Sequence, residues 1–342
     1  MQIETKELRK RLLIADASFL TLKEKLALLN SANSAESLAK LSVEQLSYSV
    51  GRTLRTRTWN GIEQLKNVER SMRLIDFLKI GYTFYNQDDY PPMLREMKDP
   101  PFVLFYRGSL DSLSSPCVSV VGTRRANQDA RKNAELFSKE ASDDGTVVVS
   151  GLAFGIDICA HRGALSGAKG CTVAVLPSGI DTIVPSSHTR VAAKIIEQGG
   201  AIVSEYTPGT PALAFRFVQR NRIIAALSPA TVVIQAPAGS GAMITASLAL
   251  DYNRDVLFHK TAFSENSELL NKSSIERIKL QKNAENKLKN SPESYVSDGA
   301  PVISSYAEYK ICRAAAPGKF CRHNEKKADE LLEKSLFEDL CT

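Results

Sequence analysis

The sequence predicts an α/β chain: a Rossmann-like, doubly wound and mostly parallel sheet, preceded by a small helical N-terminal domain. Three observations carry this. Apolar runs rich in Val and Ile (CVSVV, TVVVS, CTVAVL, AIVSEY, ATVVIQA, DVLFH) recur from 116 to 260, and their near-continuous rather than alternating character means strands buried on both faces. Between them lie helical patterns, such as DARKNAELFSKEA and HTRVAAKIIEQ. Glycine-rich stretches follow several of the runs, at the edge where sheets of this kind bind ligands.

Taken in order, residues 1–75 read as a helical domain of the SAM or helix-hairpin-helix kind, with apolar residues at helical spacing in LRKRLLIADASFLTLKEKLALL and AESLAKLSVEQLSYSV. Asn33 or Ser34 is placed to cap the second of these, with Glu36 in its first turn. Residues 76–115 read as an extended covering segment. The Pro91-Pro92 and Pro100-Pro101 pairs break helix, FVLFY reads as a short strand, and Gly108 as the turn after it. Residues 116–312 form the Rossmann-like domain, interrupted by a polar insertion over 264–293 that reads as an exposed helix with frayed ends. Residues 313–342 are a tail with one amphipathic helix, ADELLEKSLFEDL.

The 342 residues suffice for two or three domains, with 43% hydrophobic and 24% charged residues. The charged N-terminus has no signal-peptide pattern, and no run reaches the roughly 18 apolar residues of a membrane span. The six cysteines, at 117, 159, 171, 312, 321 and 341, form no CxxC pair and read as reduced thiols, which places the protein in the cytoplasm. Cys312, Cys321 and His323 lack zinc-site spacing, so no metal is expected. A net charge of +6 permits a polyanionic partner without demanding one. Arginines cluster at RTLRTR (52–57), TRR (123–125) and RFVQRNR (216–222).

The loops after the strands hold the chemistry. Gly122-Thr-Arg-Arg, Ser150-Gly151-Leu-Ala-Phe-Gly155 and Gly239-Ser240-Gly241 should emerge on one edge of the sheet. Bare backbone N–H groups and a helix N-terminus there suit an anion, with Arg124 and Arg125 as forked donors for phosphate. GTRRAN is not a GxGxxG fingerprint and no GxxxxGK[ST] occurs, so neither a dinucleotide nor a P-loop nucleotide site is predicted. Phe215 and Phe217 interleave with Arg216, Arg220 and Arg222. That pattern suits single-stranded nucleic acid, with bases stacked on rings and cations along the backbone; Phe217 packed in the core beneath its helix is the other reading. Asp157 and His161 stand one helical turn apart, a spacing open to acid–base chemistry, and read here as helix-terminus charge and packed face.

Six stretches in order, VSVVGTRRAN, VVVSGLAFGIDICAHRGAL, TVAVLPSGIDTIVPSSH, SEYTPGTP, FVQRNRIIAAL and GSGAMITASLAL, resemble the motifs of the DNA-processing protein A (DprA/Smf) family. The likeness runs from about Tyr90 to His259. It implies a module that binds single-stranded DNA without catalysis or cofactor, shields it during natural transformation or recombination, and helps load a RecA-type recombinase as a homodimer. It assigns DNA binding to Gly122, Arg124, Arg125, Ser150, Gly151, Gly155, Phe217, Arg220, Asn221, Arg222, Gly239, Ser240 and Gly241. Ala214 stands where the family often has a basic residue, and FHKTAF where it has a V-P-G stretch. The alternative reading is a nucleoside-monophosphate phosphoribohydrolase with the same glycine loops, against which PAGSGAMITA puts Ala and Ile where acids would be needed.

Overall fold

A computed structural model of the chain describes residues 3–56, 59–281 and 284–315. The N-terminal region forms five helices: α1 (Thr5–Asp16), α2 (Leu22–Ser31), α3 (Ala35–Ala39), α4 (Val43–Val50) and α5 (Gly61–Leu78). Capping boxes start α2, α3 and α4, at Thr21, Ser34 and Ser42.

Among the described residues nine strands then form one sheet: β1 (Gly81–Phe84), β2 (Val103–Gly108), β3 (Cys117–Val121), β4 (Val147–Ser150), β5 (Thr172–Val175), β6 (Ala201–Ser204), β7 (Ala230–Val233), β8 (Asp255–His259) and β9 (Val302–Ile303). Their spatial order is β1-β2-β6-β5-β4-β3-β7-β8-β9. From β6 to β9 every pairing is parallel, which is the mostly parallel, doubly wound sheet expected. The chain winds outward from β3 to β6, then returns to lay β7 beside β3. The β3/β7 boundary is thus the switch point, where loops diverge and leave a crevice.

The segment 76–115 departs from its reading as a cover. Its strands β1 and β2 pair antiparallel with each other, and β2 pairs with β6, so the segment extends the sheet itself. GYTF is too short and too polar to read as a strand alone; it becomes one because β2 supplies its hydrogen bonds. A one-turn helix, α6 (Pro92–Arg95), starts at the first proline pair.

Alternate residues of the buried strands feed two cores. Val118, Val120 and Val148 join the core beneath α7 (Gln128–Asp143) and α8 (Ile156–Ser166), a core continuous with that of the N-terminal helices; α9 (Thr189–Glu197) adds Ala192 and Ile195. Val121, Val147 and Val149 join the other, with Ile223 and Ile224 of α10 (Ala214–Ala226) and Met243 of α11 (Gly241–Asp251). The helical region docks at the β6 side: Thr207 Oγ1 donates to Asp16 Oδ1 at 3.0 Å, and Ser71 Oγ donates to the Pro208 carbonyl at 2.7 Å.

The polar insertion is structured as α12 (Glu265–Lys279), α13 (Ala284–Lys289) and α14 (Pro292–Ser297). It is not a frayed excursion, because it packs on the loop after β7. The last helix among the described residues, α15 (Tyr306–Ala314), sets Tyr306 and Tyr309 edge-on against Phe137 of α7. The tail expected to carry an amphipathic helix, and with it Cys321, His323 and Cys341, falls outside the described residues. Among those residues no helix is long and apolar enough to cross a membrane.

Candidate nucleic-acid interface

At the switch point a cavity of about 430 Å³ opens on the carboxyl edge of the sheet. The loop after β3 contributes Gly122, Thr123, Arg124 and Arg125 to its wall. Helix α10 contributes Phe217, Arg220 and Asn221, and the start of α11 contributes Ser240 and Gly241. Helix α12 completes it with Leu270 and Arg277.

Arg124 and Arg125 are exposed, and among the described residues neither forms a salt bridge, although the charge of Arg124 reaches the buried Asp157. The Arg124 guanidinium carbon sits 4.8 Å from the centre of the Phe217 ring. This cation–π contact fixes the fork over a flat apolar face and leaves its N–H donors toward the cavity. Phe217 is half-buried and absent from both cores, so of the two readings open for it the ring belongs to the cavity wall. Ser240 caps α11 by accepting from Met243 N, so the first-turn amides of α11 present partial positive charge to the same space. Asn221 Nδ2 donates to the Gly241 carbonyl at 3.1 Å and ties α10 to that helix start. The surface is a cationic crevice with one stacking ring.

The remaining motif residues have other positions. Ser150 is fully buried and donates to the Val120 carbonyl at 2.7 Å, linking β4 to β3. Gly151 and Gly155, whose bare backbone suggested a seat for phosphate, are occupied by the protein itself. A Cβ on Gly151 would lie 2.6 Å from Arg220 Cζ, and one on Gly155, at φ +80°, would lie 2.7 Å from the Arg124 carbonyl oxygen. Gly151 makes room for a buried guanidinium, and Gly155 lets the arginine loop lie flat on its neighbour. Gly239 also faces inward, since its N–H donates to the Asn290 carbonyl at 2.9 Å.

The Arg220–Arg222 run splits three ways. Arg220, 2% exposed, donates through Nη1 to the carbonyls of Gly151 and Val175, so it supports the crevice floor. Burial lowers its pKa to about 10. Asn221 faces the cavity. Arg222 turns away from it and pairs with Glu205, with Asp99 Oδ2 at 3.6 Å, so its charge is spent inside the protein.

Asp157 is the only carboxylate among the described residues lining the cavity. Burial raises its pKa, opposed by Arg220, by an amide bond from Ala153, by Arg124 and by an amide bond from Gly151. His161 is fully buried, with Nδ1 2.8 Å from Thr172 Oγ1, which itself donates to the Val148 carbonyl. The imidazole Nδ1 is therefore the donor. Burial, then Arg220, lowers the His161 pKa to about 3. A neutral histidine locked behind the floor cannot reach a ligand, and of the two only Asp157 lines the cavity.

Sequence reasoning missed Leu270 and Arg277, which lie in the polar insertion. The signal available was a stripe of small polar residues, Ser267, Asn271 and Ser274, spaced along one helical face.

Comparison with known proteins agrees with this architecture. The model of the family described as DNA recombination-mediator protein A matches residues 81–292. The chain belongs to that family. Protein Smf of Borreliella burgdorferi is 34% identical over 256 residues, which cover 74% of this chain and 80% of that protein. Protein Smf of Escherichia coli is 42% identical over 167 residues, but the match covers only 44% of the E. coli protein. Among solved structures, the X-ray structure of DNA processing protein A from Streptococcus pneumoniae superposes with a TM-score of 0.65 at 28% identity, covering 91% of this chain and 98% of the other. The family match spans the crevice and most of the insertion, from β1 to the start of α14.

Proposed function

We propose that the chain binds single-stranded DNA in the crevice at the β3/β7 switch point. Arg124, stacked on Phe217, is the observation that carries this reading. An exposed guanidinium that forms no salt bridge among the described residues, held against a ring beside a helix N-terminus, matches the phosphate–base alternation of a single strand. A duplex hides its base faces, so the ring gains nothing from it. Membership of a recombination-mediator family supports DNA as the polymer. On the same footing we assign to the chain the protection of single strands and their delivery to a RecA-type recombinase, acting as a homodimer in the cytoplasm. No catalytic step is part of this role.

The test is fluorescence anisotropy with labelled oligo-dT and its duplex across a salt series, for wild type and Arg124→Ala. Binding should favour the single strand and weaken with salt at about 0.7 per neutralised phosphate in log–log slope, and Arg124→Ala should flatten the slope. Absence of binding to either DNA would overturn the proposal. Release of free base from nucleoside monophosphates would then identify the crevice as a hydrolase site.

A further inference from the structure

The crevice owes one of its walls to the insertion, and that wall carries a cation. Helix α12 is seated on the loop after β7 by its buried polar face. Asn271 Oδ1 accepts from Ala238 N at 2.9 Å, Ser274 Oγ donates to the Ala238 carbonyl at 3.2 Å, and Gln235 Nε2 donates to Ser267 Oγ at 2.7 Å. Both backbone groups of Ala238 are thereby spent on the insertion and are closed to a ligand. In exchange, the helix brings Arg277 and Leu270 to the cavity. Arg277 is exposed, bonds only the Ser273 carbonyl through Nε, and has no ion-pair partner among the described residues. Three guanidiniums, those of Arg124, Arg125 and Arg277, therefore line one cavity whose sole carboxylate is buried beside Arg220. Exposed cations gathered on one cavity wall raise the local positive potential and attract an anion.

We infer that Arg277 is a DNA-binding residue: α12 acts as a fixed second jaw, its guanidinium meeting a backbone phosphate from the side opposite Arg124. The inference rests on the single-strand reading above. It makes the insertion a working part of the site, and Leu270 supplies the apolar contact beside the phosphate.

The experiment is the same oligo-dT salt series applied to Arg277→Ala, Arg277→Lys and Lys272→Ala. Lys272 is exposed on α12 and does not line the cavity, so it reports general charge. Arg277→Ala should lower the slope by about 0.7 and the affinity about fivefold at 0.1 M salt, the loss of one counterion-releasing contact. Arg277→Lys should keep the slope, and Lys272→Ala should match wild type. Thermal midpoints check that each variant is folded. Wild-type binding by Arg277→Ala in a series where Arg124→Ala is weakened overturns the inference and leaves the single-strand reading standing. Equal losses in Arg277→Ala and Lys272→Ala overturn it in favour of diffuse attraction. No binding by wild type overturns both.

Discussion

Replacing Gly151 by alanine tests why that glycine is there. The new Cβ would lie 2.6 Å from both Cζ and Nη2 of Arg220, well inside any real contact. Arg220 has nowhere to go, because it is 2% exposed and Nη1 is held by the Gly151 carbonyl at 2.7 Å and by the Val175 carbonyl. Hydrogen bonds from a charged donor contribute about 1.5–3 kcal/mol each, and leaving a buried charge without partners costs about 3–5 kcal/mol. The two estimates describe the same loss, so Gly151→Ala should destabilise the protein by about 3–5 kcal/mol. Urea unfolding read by circular dichroism measures it. The cause is isolated by a double-mutant cycle with Arg220→Met: once the guanidinium is gone, the methyl group should add about 1 kcal/mol or less, so the two changes couple strongly. Additive costs, or an unchanged midpoint for Gly151→Ala, would refute the steric argument and return Gly151 to the role of an open ligand seat.

Phe217→Leu should weaken oligo-dT binding by about 1–3 kcal/mol with little change in the unfolding midpoint, since the ring belongs to the crevice and to neither core. Arg222→Ala should do the reverse: Glu205, with 13% of its side chain exposed, loses its salt-bridge partner and keeps only the charge of Lys25, costing about 3 kcal/mol in urea unfolding while the salt slope of DNA binding is unaltered. Lowering pH should destabilise the protein through His161. Its folded pKa of about 3 lies below the ordinary 6.5, so only the unfolded chain takes up this proton between those values, and up to about 5 kcal/mol is lost as pH falls through that window. Urea midpoints from pH 7 to 5 for wild type and His161→Asn should diverge; parallel curves would count against the buried neutral imidazole. Ser240→Ala should cost about 1 kcal/mol through the lost cap of α11, a change visible in the thermal midpoint.

Local chemistry was enough for the frame. Runs such as CVSVV and ATVVIQA, buried on both faces, announce parallel strands, and the arginine loop after the first of them already places Arg124 at a carboxyl edge. Three decisions needed the tertiary structure. Arg220, Asn221 and Arg222 follow one another on a helix, where each step turns about 100°. They therefore point to the floor, the cavity and a buried carboxylate, and only the packing of α10 says which points where. Gly151 looks like a ligand seat until Arg220, 69 residues further on, fills the space. Helix α12 is seated on the loop after β7 through Ser267, Asn271, Ser274 and Ile278, a mostly polar face that reads as solvated because hydrophobic patterning is blind to polar contacts. Sequence alone determined which residue types stand at the sheet edge. Which of them face a ligand and which face the protein depended on partners far along the chain, because burial and hydrogen bonding are properties of neighbours in space.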